Sequence, residues 1–475
     1  MPSFDFYNKT AAFLQWFKDL PGATFSDAIQ IVDLRSRGAG RGMVATQGIP
    51  ADTTLCTIPR RAIINAETSG LRDQVPALFE SQGDQDDQQA LDSWSSLILI
   101  MMYEYLLGDQ SRWKPYMDIL PDSFDTPMFW SDEELSQLQA SATLNKIGKA
   151  SAEDMFRTRL LPAIRSNAAV FRSSAEWSDA DLIQLAHRMG STIMAYAFDL
   201  ESDDSQEQGD GDGDDPDGWI EDREGKSMMG MVAMADILNA DAEFNAHVNH
   251  GEHELTVTTL RDIKAGEEIL NFYGPHPNSE LLRRYGYVTD KHSRYDVVEI
   301  PWGAVQASLI SELGVPQEAV EKARETIDQD EWEDTFVLER NAGEPNPDGT
   351  QTSAATVDGM PEDLQAQLKA VIKALQKQNG TLIPDKRKRD DVLHSVMVGA
   401  LRSVAAHYPT TVAEDEELLR QAPNLAHRHR MAITVRLGEK RLIEEAFFYF
   451  SGKAAAAQDE MHVDYSAPKR SRRTE

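Results

Sequence analysis

The stretch "NFYGPHPNSELLRRYGYV", Asn271 to Val288, places two Tyr-Gly pairs at the ends of one short helix-prone segment, with a third phenol at Tyr287. A phenol joins an apolar ring to a hydroxyl that both donates and accepts a hydrogen bond. The residue types alone leave two readings open, core aromatics or the lining of a pocket. Upstream, "RSRGAGRGMVA" spaces Gly38, Gly40 and Gly42 ahead of a strand, where a backbone without side chains can approach a ligand. It is not a dinucleotide fingerprint: the spacing differs, no helix follows and the acidic partner is absent. "MADILNADAEFNAH" sets Asn239 directly behind the apolar run Met234–Leu238, as a turn residue or a ligand contact. His247, His250 and His253 lie close by without cysteines, so no metal site is expected. "DGDGDD" starts like a calcium loop but lacks the glycine and distal glutamate in the places that would complete one.

These candidates need elements to hold them. Residues 1–23 carry Phe13, Leu14, Trp16, Phe17 and Leu20 at helical spacing up to Pro21-Gly22. "GMVATQGIPADTTLCTIP" and, much later, "LTVTTLRDIKAGEEILNFY" each read as strand, turn, strand. The expectation is two hairpins of one β-rich domain over 24–290. A helical insertion over about 92–198 separates them, with Trp94, Leu97, Ile98, Met101, Met102, Tyr105 and Leu106 on its first helix. Further helices are expected over Asp132–Ala142, Ala152–Phe171 and Ser178–Phe198, the last capped by Ser178. An acidic, glycine-rich run over about 201–222 has too little apolar surface to order itself. Beyond Pro301 the strand signal fades, and "PEDLQAQLKAVIKALQKQ" opens what reads as an all-helical second domain over 300–452, followed by a basic tail, 453–475, ending "PKRSRRTE". The fold class expected is α+β.

The chain has 475 residues and one cysteine, Cys56, so it supports a large core and no internal disulfide. Its N-terminus lacks the features of a secretory signal and no apolar run reaches spanning length, which predicts an intracellular protein. A net charge of −32 speaks against direct nucleic-acid binding and suits a basic protein partner.

Taken together and in this order, the glycine loop, "ADILNAD" and "EEILNFYGPHPNSELLRRYGYV" closely resemble SET-domain protein lysine methyltransferases. The split arrangement, with "SRWKPYMDILP", "FWSDEELSQL" and "IMAYAFD" in the expected places, resembles the Rubisco large-subunit methyltransferase class, most of all its fungal ribosomal lysine methyltransferases. The resemblance runs from about 24 to 450. It implies a β-rich SET domain split by a helical insertion, then a helical substrate-binding domain. It implies S-adenosyl-L-methionine as cofactor, held by Ala39, Gly40, Arg41, Tyr196, Asn239, Ala240 and Tyr285, with no metal. Tyr273 would be the catalytic phenol, and Trp94, Ala197, Asp199 and Tyr287 would face the substrate lysine. The class has Asn-His where this chain has Asn239-Ala240, so only backbone contacts can be carried over at Ala240. Tyr287 stands where phenylalanine is more usual, and its extra hydroxyl would restrict the product to monomethyl-lysine. The implied substrate is a large-subunit ribosomal protein and the implied compartment the nucleus. A histidine acceptor of the actin type, a chromatin protein, or a non-catalytic cofactor-binding scaffold remain as alternatives.

Overall fold

Helix α1 (Pro2–Asp19) buries Phe13 and Phe17 and stops at the Pro21-Gly22 turn. The computed structural model describes residues 2–79, 91–171, 176–200, 228–327, 332–351, 353–380, 382, 387–421 and 425–462. After α1 come strands β1 (Thr24–Phe25), β2 (Ile29–Asp33), β3 (Arg41–Ala45) and β4 (Thr54–Pro59). Helices α2 (Leu71–Gln74), α3 (Ser93–Leu107), α4 (Lys114–Met117), α5 (Asp132–Ser136), α6 (Lys149–Met155), α7 (Leu161–Ser166) and α8 (Asp179–Tyr196) form the insertion and its approach. Strands β5 (Ala197–Asp199), β6 (Met229–Met231), β7 (Asn239–Ala240), β8 (Ala246–His250), β9 (Glu254–Thr259) and β10 (Glu268–Asn271) follow, and then helix α9 (Asn278–Tyr285).

The two strand-turn-strand units do not fold as hairpins. β3 and β4 lie in different sheets, ordered β2-β3-β10-β7 and β1-β4-β9-β8. Each strand of the first unit pairs antiparallel with its counterpart in the second: β3 with β10, and β4 with β9. The turns meet too, through the bridge Ile49↔Ile263. The physical reason is the connection. Residues 46–53 are too many, and too constrained at Pro50, for the tight two-residue turn that closes a hairpin. Closing the β-region therefore requires the chain to return after the insertion. The parallel pairing of β10 with β7, Leu270 opposite Asn239, brings the end of β10 beside the "ADILNAD" segment.

In the insertion, α3 is buried on nearly all sides and is capped by Asp92, whose carboxylate accepts from the Ser95 backbone N–H at 2.7 Å. α8 has the capping box predicted at Ser178, closed reciprocally by Asp181. The helix expected over Asp132–Ala142 is shorter, ending at Ser136, and Gln139 beyond it takes φ +58. The helix expected over Ala152–Phe171 is broken into α6, a π turn over Phe156–Leu160 and α7, because Pro162 has no N–H to continue the ladder.

The C-terminal part contains β11 (Val298–Pro301), α10 (Trp302–Leu313), α11 (Gln317–Arg324), β12 (Thr335–Leu338), α12 (Glu362–Gln378), α13 (Arg387–Ala405), α14 (Val412–Arg420) and α15 (His427–His462). It is helical except for the antiparallel pair β11–β12, which the sequence analysis did not anticipate. α15 carries helix into the 453–475 stretch expected as tail; the rest of that tail, and the acidic run over 201–222, lie outside the described residues. Two cores result, one spanning Phe13 to Ile269 and one spanning Val298 to Phe450. A small third cluster joins them: Leu282 of α9 packs with Trp130 and Leu138 of the insertion and with Met431, Ala432 and Val435 of α15.

Candidate active site

Tyr273 follows β10 and Tyr285 is the last residue of α9. The glycine after each ring turns the backbone into the left-handed region, Gly274 at φ +110 and Gly286 at φ +78. Gly286 is also pressed against another segment, since a Cβ there would sit 3.1 Å from Asp125 C and Thr126 N. These two turns fold the helix back on the strand end and stack the rings. Tyr273 and Tyr285 lie 5.0 Å apart at 28°, Tyr287 lies 6.1 Å from Tyr285, and His276 lies 6.2 Å from Tyr285.

The Tyr273 hydroxyl donates to the Leu238 carbonyl at 2.7 Å. Burial holds its pKa well above the ordinary phenol value, so it remains protonated and cannot serve as a base. With its proton committed to Leu238, the Tyr273 oxygen is left with lone pairs to offer. Burial raises the Tyr287 phenol in the same way, and its Oη is buried without a hydrogen-bond partner among the described residues. Tyr196, where α8 ends, is pushed up to about 12 by burial and then by Asp236.

Asp236 lies inside the apolar run that ends at Leu238. It accepts from the Tyr116 hydroxyl and from the Met234 N–H, the latter at 3.1 Å. Met234 has φ +88, an uncommon value for a residue with a side chain, so Asp236 braces a strained turn that fixes the Leu238 carbonyl. Burial lifts Asp236 to about 7. Tyr116 lies within "SRWKPYMDILP" and Asp236 within "MADILNADAEFNAH", and neither is marked by a motif of its own. The available signal was the carboxylate itself, which an apolar run buries only when it has partners.

The glycine loop meets this cluster through β3. A Cβ at Gly42 would come within 2.9 Å of Asn239 Nδ2 and of Glu268 Oε1, whereas one at Gly40 would meet nothing within 4 Å. Gly42 is therefore required for packing, and Gly40 leaves open space. Ala39, half-buried, closes the loop with Gly40 through bonds to Leu34. Asn239 Nδ2 donates to the Arg41 carbonyl at 3.2 Å and to Glu268 Oε1 at 2.8 Å, so its amide ties the first loop to β10. The Arg41 guanidinium turns toward α1. It donates to Thr10 Oγ1 and the Ile119 carbonyl and lies 4.0 Å from the Phe6 ring centroid, which leaves its backbone for a ligand. Ala240 sits in β7, opposite Asn271. Ala197 and Asp199 are in β5, paired with Met231 and Met229 of β6; Asp199 is exposed. Trp94 lies in the wall of a cavity beside the ring cluster. No group of three or more His, Cys, Asp or Glu suited to a metal occurs among the described residues.

Residues 40–274 match the SET domain family, and residues 318–443 match the family described as Rubisco LSMT substrate-binding. The chain is 36% identical over 300 residues to the ribosomal lysine N-methyltransferase 4 of Saccharomyces cerevisiae, covering 62% of this chain and 58% of that protein. It is 30% identical over 253 residues to the N-lysine methyltransferase setd6 of Xenopus laevis, covering 52% of this chain and 50% of that one. The chain thus spans little more than half the length of these relatives. With the setd6 of Danio rerio the match is 27% identical but covers 91% of this chain and 93% of the other. The fold is that of Rubisco LSMT solved with AdoMet, at a TM-score of 0.62, 19% identity and 97% coverage of both chains. With both domain families matched in order, the chain carries a SET domain followed by a Rubisco-LSMT-type substrate-binding domain.

Proposed function

We propose that the protein is an S-adenosylmethionine-dependent protein-lysine N-methyltransferase that monomethylates a lysine of a basic large-subunit ribosomal protein, acting in the nucleus. The observation that carries this reading is the Tyr273 hydroxyl held on the Leu238 carbonyl within the stacked tyrosines.

The cofactor supplies a methyl group made electrophilic by a sulfonium. The residues present suit such a cation. Carbonyl and phenol oxygens face the site, the Arg41 guanidinium is turned to α1, and Gly40 leaves room beside the loop. The backbone of Ala39, Gly40 and Arg41, the Asn239-Ala240 strand and the rings of Tyr196 and Tyr285 would hold it.

A lysine attacks only when neutral, and its ordinary pKa is about 10.4. The buried walls of Tyr273, Tyr285 and Tyr287 disfavour the ammonium by desolvation. The lysine proton passes to solvent, since no phenol of the cluster is ionised to receive it. Tyr273 then accepts a hydrogen bond from the neutral amine and fixes the direction of its lone pair. Alignment of this kind is worth on the order of 7–11 kcal/mol in intramolecular reactions. The partnerless Tyr287 hydroxyl would hold a water beside the nitrogen, in the volume a second methyl needs.

The ribosomal acceptor is supported by the yeast relative's name and by the net charge of −32, which attracts a basic partner. The nuclear assignment is supported by the basic "PKRSRRTE" segment. The test is incubation with methyl-labelled cofactor and purified large-subunit ribosomal proteins, followed by mass spectrometry. One lysine of one protein should gain a single methyl. Label on histidine, or none, would overturn the reading.

A further inference from the structure

Beside the Tyr-Gly-Tyr segment lies a narrow cleft that opens to solvent. Trp94 of α3, Met194 of α8, Phe156 of the π turn and Met128 give it apolar walls. Thr126 and His187 bring polar atoms into these walls. Thr126 is 2% exposed and its Oγ1 has no hydrogen-bond partner among the described residues. His187 Nε2 is buried 3.6 Å from Glu153 Oε1, too far for a hydrogen bond, and its ring meets Phe156 edge-on at 4.9 Å. Buried polar atoms are ordinarily satisfied, so two unmet ones lining one cavity mark a place for a hydrogen-bonding group that is supplied from outside.

The cavity adjoins the tyrosines. Its Thr126 wall is pressed against Gly286, the residue between Tyr285 and Tyr287, and Met194 lies two residues before Tyr196. Arg283 and Arg284 border it, but Glu280 takes both, at 2.7 and 2.9 Å, so they offer little to an anion. Burial keeps His187 neutral. An uncharged guest therefore fits best, with an apolar body against Trp94 and Phe156 and one hydroxyl at its tip.

We propose that this cavity is a specificity pocket for one neutral side chain of the protein substrate, an apolar body ending in a hydroxyl, tyrosine being the fullest match, within a few residues of the target lysine. The inference rests on the lysine-methyltransferase reading and specifies its substrate class. It assigns Thr126 and His187 to selection of substrate and not to methyl transfer.

The test uses the full chain saturated with S-adenosylhomocysteine and a library of fluorescent lysine-centred peptides, each flanking position carrying Tyr, Phe, Ala, Glu or Lys. Fluorescence polarisation reads binding, and methyl transfer is read separately with S-adenosylmethionine. Wild type should prefer Tyr to Phe, and Phe to Ala, by about tenfold each at one flanking position. Thr126→Val should bring the Tyr-to-Phe ratio to about one, and Ser191→Phe, which fills the cavity, should erase the preference over Ala. Unchanged melting temperatures would show that both variants fold. Absence of preference at every position, a preference that survives Ser191→Phe, or no binding of any peptide would each overturn the pocket. Binding with the expected preference but without methyl transfer would leave the pocket standing and sink the methyltransferase reading.

Discussion

The Tyr287 hydroxyl is the residue-level feature with the clearest consequence for product. It is buried beside Tyr285 without a hydrogen-bond partner among the described residues, so removing it leaves the ring in place and frees a small volume. Tyr287→Phe should retain methylation and convert a monomethyl product into di- and trimethyl-lysine, read by mass spectrometry of the modified peptide. A product that stays monomethyl would remove Tyr287 from the control of product. The tyrosines and the glycine loop were legible because each is written as a local motif. Asp236 and Tyr116 were not, since their roles depend on a contact across 120 residues that no local pattern encodes. The Arg41 side chain likewise points to α1, a partner that spacing within its own loop cannot reveal.

At the scale of elements, α15 ties the C-terminal helices to the insertion and to α9. Asp415 of α14 is fully buried between two cations of α15, Arg436 at 2.7 Å and Lys440, and also receives Thr410 at 3.0 Å. Asp415→Ala would leave two buried positive charges facing each other. The expected cost is about 3–5 kcal/mol, measured by denaturant unfolding, and a loss below about 1 kcal/mol would contradict it. Glu439 of α15, buried, accepts from Ser141 at 2.6 Å and from Tyr408 at 2.9 Å, and burial raises it to about 8. A carboxyl whose folded pKa exceeds its unfolded value binds more protons when folded, so stability falls as pH rises from the unfolded value through the folded one. The histidines lowered by burial, such as His292 at about 4, titrate differently in the two states only below their ordinary value, and so act below about pH 6.5. Between pH 6.5 and 8 the raised acids act, Asp236 and Asp296 near 7 and Glu439 near 8. Glutamine can keep both hydroxyl contacts of Glu439. Glu439→Gln should therefore reduce the fall in stability across that window by on the order of 1–2 kcal/mol, read from unfolding at several pH values. A slope identical to wild type would refute the assignment. The existence of the long helices was legible from apolar periodicity. The strand partners were not, because β3–β10 and β4–β9 join segments more than 190 residues apart, and alternation specifies a strand but never its neighbour.

For the whole molecule, a net charge of −32 acts over distance, and at physiological salt it is screened beyond about 8 Å. In the proposed reaction it would govern encounter with a basic substrate more than the short contacts that hold the cofactor. Raising salt should increase KM for the protein substrate several-fold and leave S-adenosylmethionine affinity nearly unchanged in a steady-state series. A flat KM would reduce the acidity to a matter of solubility. The central proposal is that a protonated Tyr273, anchored on Leu238, directs a neutral lysine without gripping the cofactor. The direct measurement is Tyr273→Phe, assayed for single-turnover methyl transfer and, by calorimetry, for cofactor binding. The account predicts transfer slowed by at least about a hundredfold with cofactor affinity within about twofold of wild type; transfer at the wild-type rate would contradict it.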